Sequence, residues 1–316
     1  MKLSRSQIAA WLLIGGPIAV FSLWAMFDNT RLYFVTLLNS LTLASLYFIV
    51  ASGFTLVFGL MRNVNLAHGT LYLLGGYVGY VVAAKTGWWV IALAAGFLAA
   101  AIGGLLMQWL VLRHMQGEEL RQTMVTIGIS IIGADILLWI FTGQVYQMEA
   151  PEWLQGPIRG IPLINAYSAY RLSLLGFGIA IGIGLWWLLS RTRVGMMIRA
   201  GVDDRNMLAA AGVNVPRLFA ITFALGAGLS GFGGVIGAVE FSMVPGEDTR
   251  LLLVSLIVVI VGGMGSVLGA AIGAAILGLA ETYGLAYAPT YSVVFTFLVL
   301  IGVLAFRPRG IMGRPA

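Results

Sequence analysis

Apolar runs long enough to cross a bilayer recur from one end of this chain to the other, and that recurrence leaves few folds open. The runs are 8–27, 34–60, 69–84, 88–112, 123–142, 171–190, 216–239, 251–279 and 291–306, separated by short polar stretches. In lipid the backbone must satisfy its own N–H and C=O groups, and runs of this length do so as helices of about 20 residues. Charged residues make up 9% of the chain, against roughly 25% in soluble domains. The expected fold is therefore all-α: a polytopic membrane helix bundle in one transmembrane domain, residues 1–316. No polar block is long enough for a separate soluble domain.

The first run, 8–27, follows Lys2 and Arg5 as a signal peptide would, but it is long for one and no small-x-small cleavage site follows it, so an uncleaved first helix is expected. The run 251–279 is interrupted by Gly262-Gly-Met-Gly-Ser266. At about 1.5 Å per residue it is too long for one upright helix and short for two full ones. It reads as two segments meeting at a glycine break, either a re-entrant hairpin or two short spans. The expectation is about eight full spans plus this element, or eight to ten crossings.

Basic residues set the orientation. With the N-terminus in the cytoplasm and 251–279 returning to the side it entered, thirteen of the 18 Lys and Arg lie inside, and Arg31, Lys85, Arg159, Arg171 and Arg250 lie outside. Both termini are then expected in the cytoplasm. A single crossing at 251–279 would put the basic C-terminus outside, which argues for the hairpin.

On the same expected inner side lies 195–216, GMMIRAGVDDRNMLAAAGVNVP. Asp203 or Asp204 is placed to cap a small helix over 205–211, Gly212 stands at its C-terminal cap, and Pro216 opens the next apolar run. Such a helix outside the bundle is either offered to a partner or is an ordinary connection.

Several chemistries are excluded. Without cysteine there is no thiol catalysis or Cys-ligated metal, and His68 and His114, both assigned to inner loops, make no metal cluster. An intramembrane enzyme would need a nucleophile–base pair or metal cluster at membrane depth, and neither is visible. Residues 79–86 nearly spell a phosphate-binding loop, but Ala84 precedes Lys85 and the run ends a membrane helix. The pI near 9.8 suggests nucleic acid, yet the arginines lie between apolar spans, where they orient the chain.

Asp135 lies well inside the 123–142 run. A charged carboxylate at the bilayer centre costs ~2.5–3.5 kcal/mol on insertion scales, so it lines a polar path for an amine or proton, or bonds a neighbouring helix. Glu240 and Glu281, near outer helix ends, are expected to be solvated. Gly75/Gly79, Gly178/Gly182 and Gly265/Gly269/Gly273 mark close helix packing. The breaks at 63–69 and 262–269 fall one in each half of the chain, a pointer to a substrate path.

Three stretches together resemble one family. Gly53-Phe-Thr-Leu-Val-Phe-Gly59 with Asn63-Val-Asn-Leu-Ala-His-Gly69 is similar to the front signature of LivH-type permease subunits of branched-chain amino acid ABC importers. Arg199-Ala-Gly-Val-Asp-Asp-Arg205 with Ala209-Ala-Ala-Gly212 resembles their coupling segment, and Gly262-Gly-Met-Gly-Ser-Val-Leu-Gly269 with Phe306-Arg-Pro-Arg-Gly310 their closing signatures. In importers the coupling loop usually reads Glu-Ala-Ala-x-x-x-Gly; here Asp203, Asp204 and 209–212 stand in for it.

The resemblance implies a bacterial inner-membrane protein that is not an enzyme, needs no cofactor, and forms a pore with a second, LivM-like permease. Two cytoplasmic ABC ATPase subunits and a periplasmic substrate-binding protein complete the assembly. The cargo implied is a small polar solute, branched-chain amino acids first and urea or short amides next. ATPase coupling is expected at Asp203, Asp204, Arg205, Ala209, Ala210 and Gly212. The translocation path is expected at Asn63, Asn65, His68, Asp135, Gly262, Gly263 and Gly265. A polar or amide residue is expected in relatives where Asp135 stands. The rival is a proton-coupled secondary transporter using Asp135.

Overall fold

The computed structural model describes residues 25–61, 63–115, 117–161 and 164–313, without the side chain of Arg205. Most of the first apolar run, with Lys2, Arg5, Arg62 and Arg314, lies outside the described residues. Among the described residues, 25–28 are helical and eleven further α-helices follow: α1 Thr30–Met61, α2 His68–Thr86, α3 Trp89–Leu110, α4 Glu119–Phe141, α5 Ala169–Arg191, α6 Arg193–Asp203, α7 Arg205–Ala210, α8 Val215–Glu240, α9 Glu247–Gly262, α10 Val267–Tyr287 and α11 Ser292–Phe306. A two-stranded antiparallel hairpin, β1 Pro157–Arg159 and β2 Ala166–Ser168, sits in the long α4–α5 connection. The all-α membrane bundle is as the apolar runs require. Among the described residues, seven helical segments are long and apolar enough to cross a membrane.

Polar side chains mark the helix starts. Ser168 accepts from the Arg171 amide, Asn214 from that of Arg217 and Ser266 from that of Gly269, each filling one of the donors a helix start leaves open. Within α1, the hydroxyls of Ser40, Ser45 and Thr55 return to the carbonyl four residues before, so an apolar surrounding leaves none of them unpaired.

The core is built on α1 and α8, which run antiparallel at the centre, with Gly53 against Gly226 and Val50 against Gly233. A Cβ at Gly53 would collide with the Gly226 carbonyl, so the two backbones approach as only small residues allow. α3 covers α8 and α10 covers α1, while α2 lies on both α8 and α3. The small-residue pairs act as expected: Gly75 packs on Gly231, Gly178 on Ser45, Gly269 on Gly262 and Gly273 on Val258.

Each central helix is followed by a non-helical return, and the next helix then begins inside the bundle. After α1, residues 63–67 lead back to His68, whose Nε2 lies 3.0 Å from the Val50 carbonyl and whose own carbonyl accepts from Ser230 Oγ at 3.0 Å. His68 is therefore buried beside the middle of α1 and α8, not in the inner loop expected for it. After α8, residues 241–246 turn back so that Met243 is buried beside Gly76 and pairs with Tyr146. α9 starts at Glu247, inside the stretch that the sequence marked as a polar loop.

The glycine break at Gly263–Ser266 is the turn between α9 and α10, which lie antiparallel as a hairpin. Gly263 and Gly265 have φ of 107° and 82°, values that favour glycine. The chain after α11 returns to this turn: the amides of Ile311 and Met312 donate to the carbonyls of Val261 and Gly262, both at 2.9 Å. The last carbonyls of α9, which a helix end leaves open, are thereby filled.

Candidate translocation and coupling sites

The starts of α2 and α9 meet. A Cβ at Gly69 would overlap the Asp248 carbonyl, so the two first turns are in backbone contact. α4 stands beside them, tied to α2 by Thr70 and Ser130, whose hydroxyl oxygens are 2.9 Å apart. Between α4 and the two helix starts opens a groove of about 320 Å³, lined by Leu73 and Tyr77 of α2, Ser130 and Asp135 of α4, and Gly246 and Asp248 at the α9 start. The Tyr77 ring is stacked on Phe141 at 4.1 Å, which fixes one wall.

Asp135 is exposed towards this groove, and Asp248 lines it while only 7% exposed. Neither carboxylate makes a hydrogen bond or ion pair among the described residues. Asp248 and Glu247 occupy the first turn of α9, where the helix dipole favours a negative charge.

The other path candidates do not reach the groove. Asn63 is buried: its amide donates to Gln122 Oε1 at 2.7 Å and its carbonyl oxygen accepts from Thr123 at 2.8 Å, joining the return to the start of α4. Asn65 Oδ1 accepts from the Ala67 amide and shapes the turn into α2. His68 is held by Val50 and meets the Phe54 ring edge to face. Gly262, Gly263 and Gly265 belong to the hairpin turn, with Gly265 against Gly59.

A second polar network lies between α1, α9 and α10. Arg250 donates to Glu247 at 2.7 Å and faces Glu281 at 3.8 Å, and its guanidinium lies over the Phe241 ring. Tyr47 donates to Glu281 at 2.6 Å. Glu240 pairs with Arg171 at 2.7 Å, and Arg171 also donates to Asn39. Glu240 and Glu281 are thus paired, not solvated as expected; each has an arginine from a distant stretch to compensate it.

At the other end of the bundle, α6 and α7 stand between α5 and α8. The 195–216 stretch is two helices, not one, because Thr192 caps α6 by accepting from the Gly195 amide at 3.1 Å. Asp204 caps α7, accepting from the amides of Asn206 and Met207 at 2.8 and 3.0 Å. Gly212 has φ of 85° and ends the element, and Pro216 lies in the first turn of α8. Ile198 and Leu208 are buried inward, whereas Asp203, Asp204, Ala209 and Ala210 are exposed. Met207, 72% exposed, presents an apolar side chain on the same short helix and is not among the expected coupling residues. Its signal was a methionine beside two alanines on an element too short to need them for packing.

Residues 36–304 match the family model described as the branched-chain amino acid transport system permease component. The chain belongs to this family. This permease is 29% identical over 298 residues to the high-affinity branched-chain amino acid transport system permease protein BraD of Pseudomonas aeruginosa, covering 90% of this chain and 96% of that one. It is 30% identical over 301 residues to the permease protein LivH of Escherichia coli K12, covering 90% and 97%. More distantly, it is 25% identical over 306 residues to the autoinducer 2 import system permease protein LsrC of Salmonella typhi, covering 92% and 83%. No solved structure matches it. The permease is a multi-pass inner-membrane protein of the ABC transporter class.

Proposed function

We propose that this permease is the membrane subunit of an ATP-driven importer that carries small polar solutes inward, branched-chain amino acids first among them. ATP binding and hydrolysis by two separate cytoplasmic ATPases would be received at α6 and α7. A second, LivM-like permease would complete the pore, and a periplasmic binding protein would deliver the cargo. The observation that carries this reading is the capped, exposed α7 beside the bundle of a chain whose relatives are named as amino acid transport permeases. Asp203, Asp204, Ala209, Ala210, Gly212 and the backbone of Arg205 form the docking element, with Met207 added to them.

The test is uptake of labelled leucine into proteoliposomes holding the whole assembly. Uptake that needs ATP, both ATPases and the loaded binding protein supports the reading, and flux that persists with the ATPases removed overturns it. Proton-coupled transport through Asp135 would give the opposite pattern, surviving ATPase removal and collapsing with an uncoupler.

A further inference from the structure

We propose that the groove between α4 and the start of α9 reads the protonated amine of the cargo, with Asp135 and Asp248 as its acceptors. The inference rests on the importer reading and adds the chemical group that the permease itself recognises. Asp248 is 93% buried by the complement of its 7% exposure, yet no donor in the described chain reaches its carboxylate, which lines the groove. Its oxygens keep access to the groove while the rest of the residue is enclosed, so the groove is the side from which a donor can reach them, and the helix dipole of α9 adds only about 0.3–1 kcal/mol in favour of the charge. Asp135 faces the same space from α4, well inside the apolar run 123–142; at the bilayer centre an uncompensated charge costs ~2.5–3.5 kcal/mol. Both groups lack what a cationic ligand supplies.

No Lys, Arg or His lines the groove among the described residues. Arg250, two residues beyond Asp248, is already engaged by Glu247 and Glu281. The fixed charge facing the groove is therefore negative only, and low-dielectric walls concentrate its field on whatever enters. The remaining walls are mostly apolar, with Leu73, Leu137 and the Tyr77 ring beside Thr249, and the Ser130 hydroxyl is bonded to Thr70. An ammonium carrying an aliphatic group fits both features. Urea or a short amide would leave both carboxylates without a counter-charge.

The chain has no cysteine, so a single reporter thiol can be placed in the groove at Ala134, which lines it beside Asp135. In the Ala134→Cys protein in nanodiscs, the trimethylammonium-ethyl methanethiosulfonate should label at least ~10-fold faster than its sulfonate counterpart. Adding Asp135→Asn, or Asp248→Asn, should cut that ratio severalfold. Leucine or 3-methylbutylammonium at millimolar concentration should slow labelling, and 3-methylbutanamide should not. Equal rates for the two reagents, a ratio unchanged in both Asn variants, or equal protection by the amide would overturn the proposal. None of these readouts uses ATP or the partner subunits, so failure here leaves the importer reading standing, and failure of ATP-driven uptake leaves this result interpretable.

Discussion

Gly69 and Asp248 touch through their backbones, so the first turns of two helices that begin inside the bundle are locked to each other. The contact joins the two halves of the chain at Asp248, which also lines the acidic groove. Any side chain at Gly69 has to displace the Asp248 carbonyl, and backbone on the other side yields less easily than a flexible side chain.

Gly69→Ala should therefore destabilise the protein by about 1–3 kcal/mol, the range for overpacking a dense core. Gly128→Ala on α4 serves as the control, since nothing lies within 4 Å of the added carbon there. The control should hold its stability or gain about 0.5–1 kcal/mol, as replacing a mid-helix glycine by alanine does where nothing is crowded. Thermal unfolding in detergent checks both. Equal midpoints for the two variants would mean that the helix starts separate freely.

The arginine network gives a second test. Tyr47, Glu281, Arg250 and Glu247 link α1, α10 and α9, and removing one member strands the others in a largely apolar setting. Arg250→Met should cost about 1–3 kcal/mol, below the figure for a fully buried pair because the Arg250 side chain is 38% exposed. Adding Glu281→Gln should cost less than the sum of the two single changes, and a double-mutant cycle measures that shortfall. Strict additivity would show that the two charges do not interact.

How far these features could be read in the sequence follows from where their partners lie. The apolar runs and the glycine break at Gly263–Ser266 are local properties, and both were legible. The depth of His68 was not, because what holds it is Val50 on α1 and Ser230 on α8. Asn63 reads as a pore residue by its polarity, but Gln122 and Thr123 occupy its amide. The return at 241–246 looks like any polar loop until Met243 is seen against Gly76. Glu240 and Glu281 looked solvated for the same reason, since Arg171 and Arg250 reach them only through the fold. The place of Asp135 inside an apolar run is a local property of the sequence; that Asp248 shares its groove is not, because the fold brings the two together.

On the proposed docking element, Met207→Asp should uncouple ATPase from permease while leaving the permease folded, because this side chain is 72% exposed. Asp204→Ala acts differently. It removes the cap of α7 and should cost about 1 kcal/mol locally, fraying the element that presents Met207. Co-purification of the ATPases, together with leucine uptake, separates the two effects. Retained ATPase binding and normal uptake in the Met207→Asp protein would remove α7 from the coupling role.

The last prediction concerns sidedness, which rests on counting Lys and Arg. The expected orientation puts α6, α7 and the tail after α11 in the cytoplasm, and the β1–β2 connection outside. Ala209 on α7 and Glu152 in the α4–α5 connection are both exposed. In the cysteine-free chain, Ala209→Cys and Glu152→Cys each supply one thiol with no background. A membrane-impermeant maleimide added to intact spheroplasts should label Glu152→Cys and leave Ala209→Cys untouched. In inside-out vesicles the pattern should reverse. The logic of the rule is that loops rich in Lys and Arg stay on the cytoplasmic side during insertion. The opposite labelling pattern would place α7 where no cytoplasmic ATPase could reach it, and the importer reading would then lose the element that receives its energy.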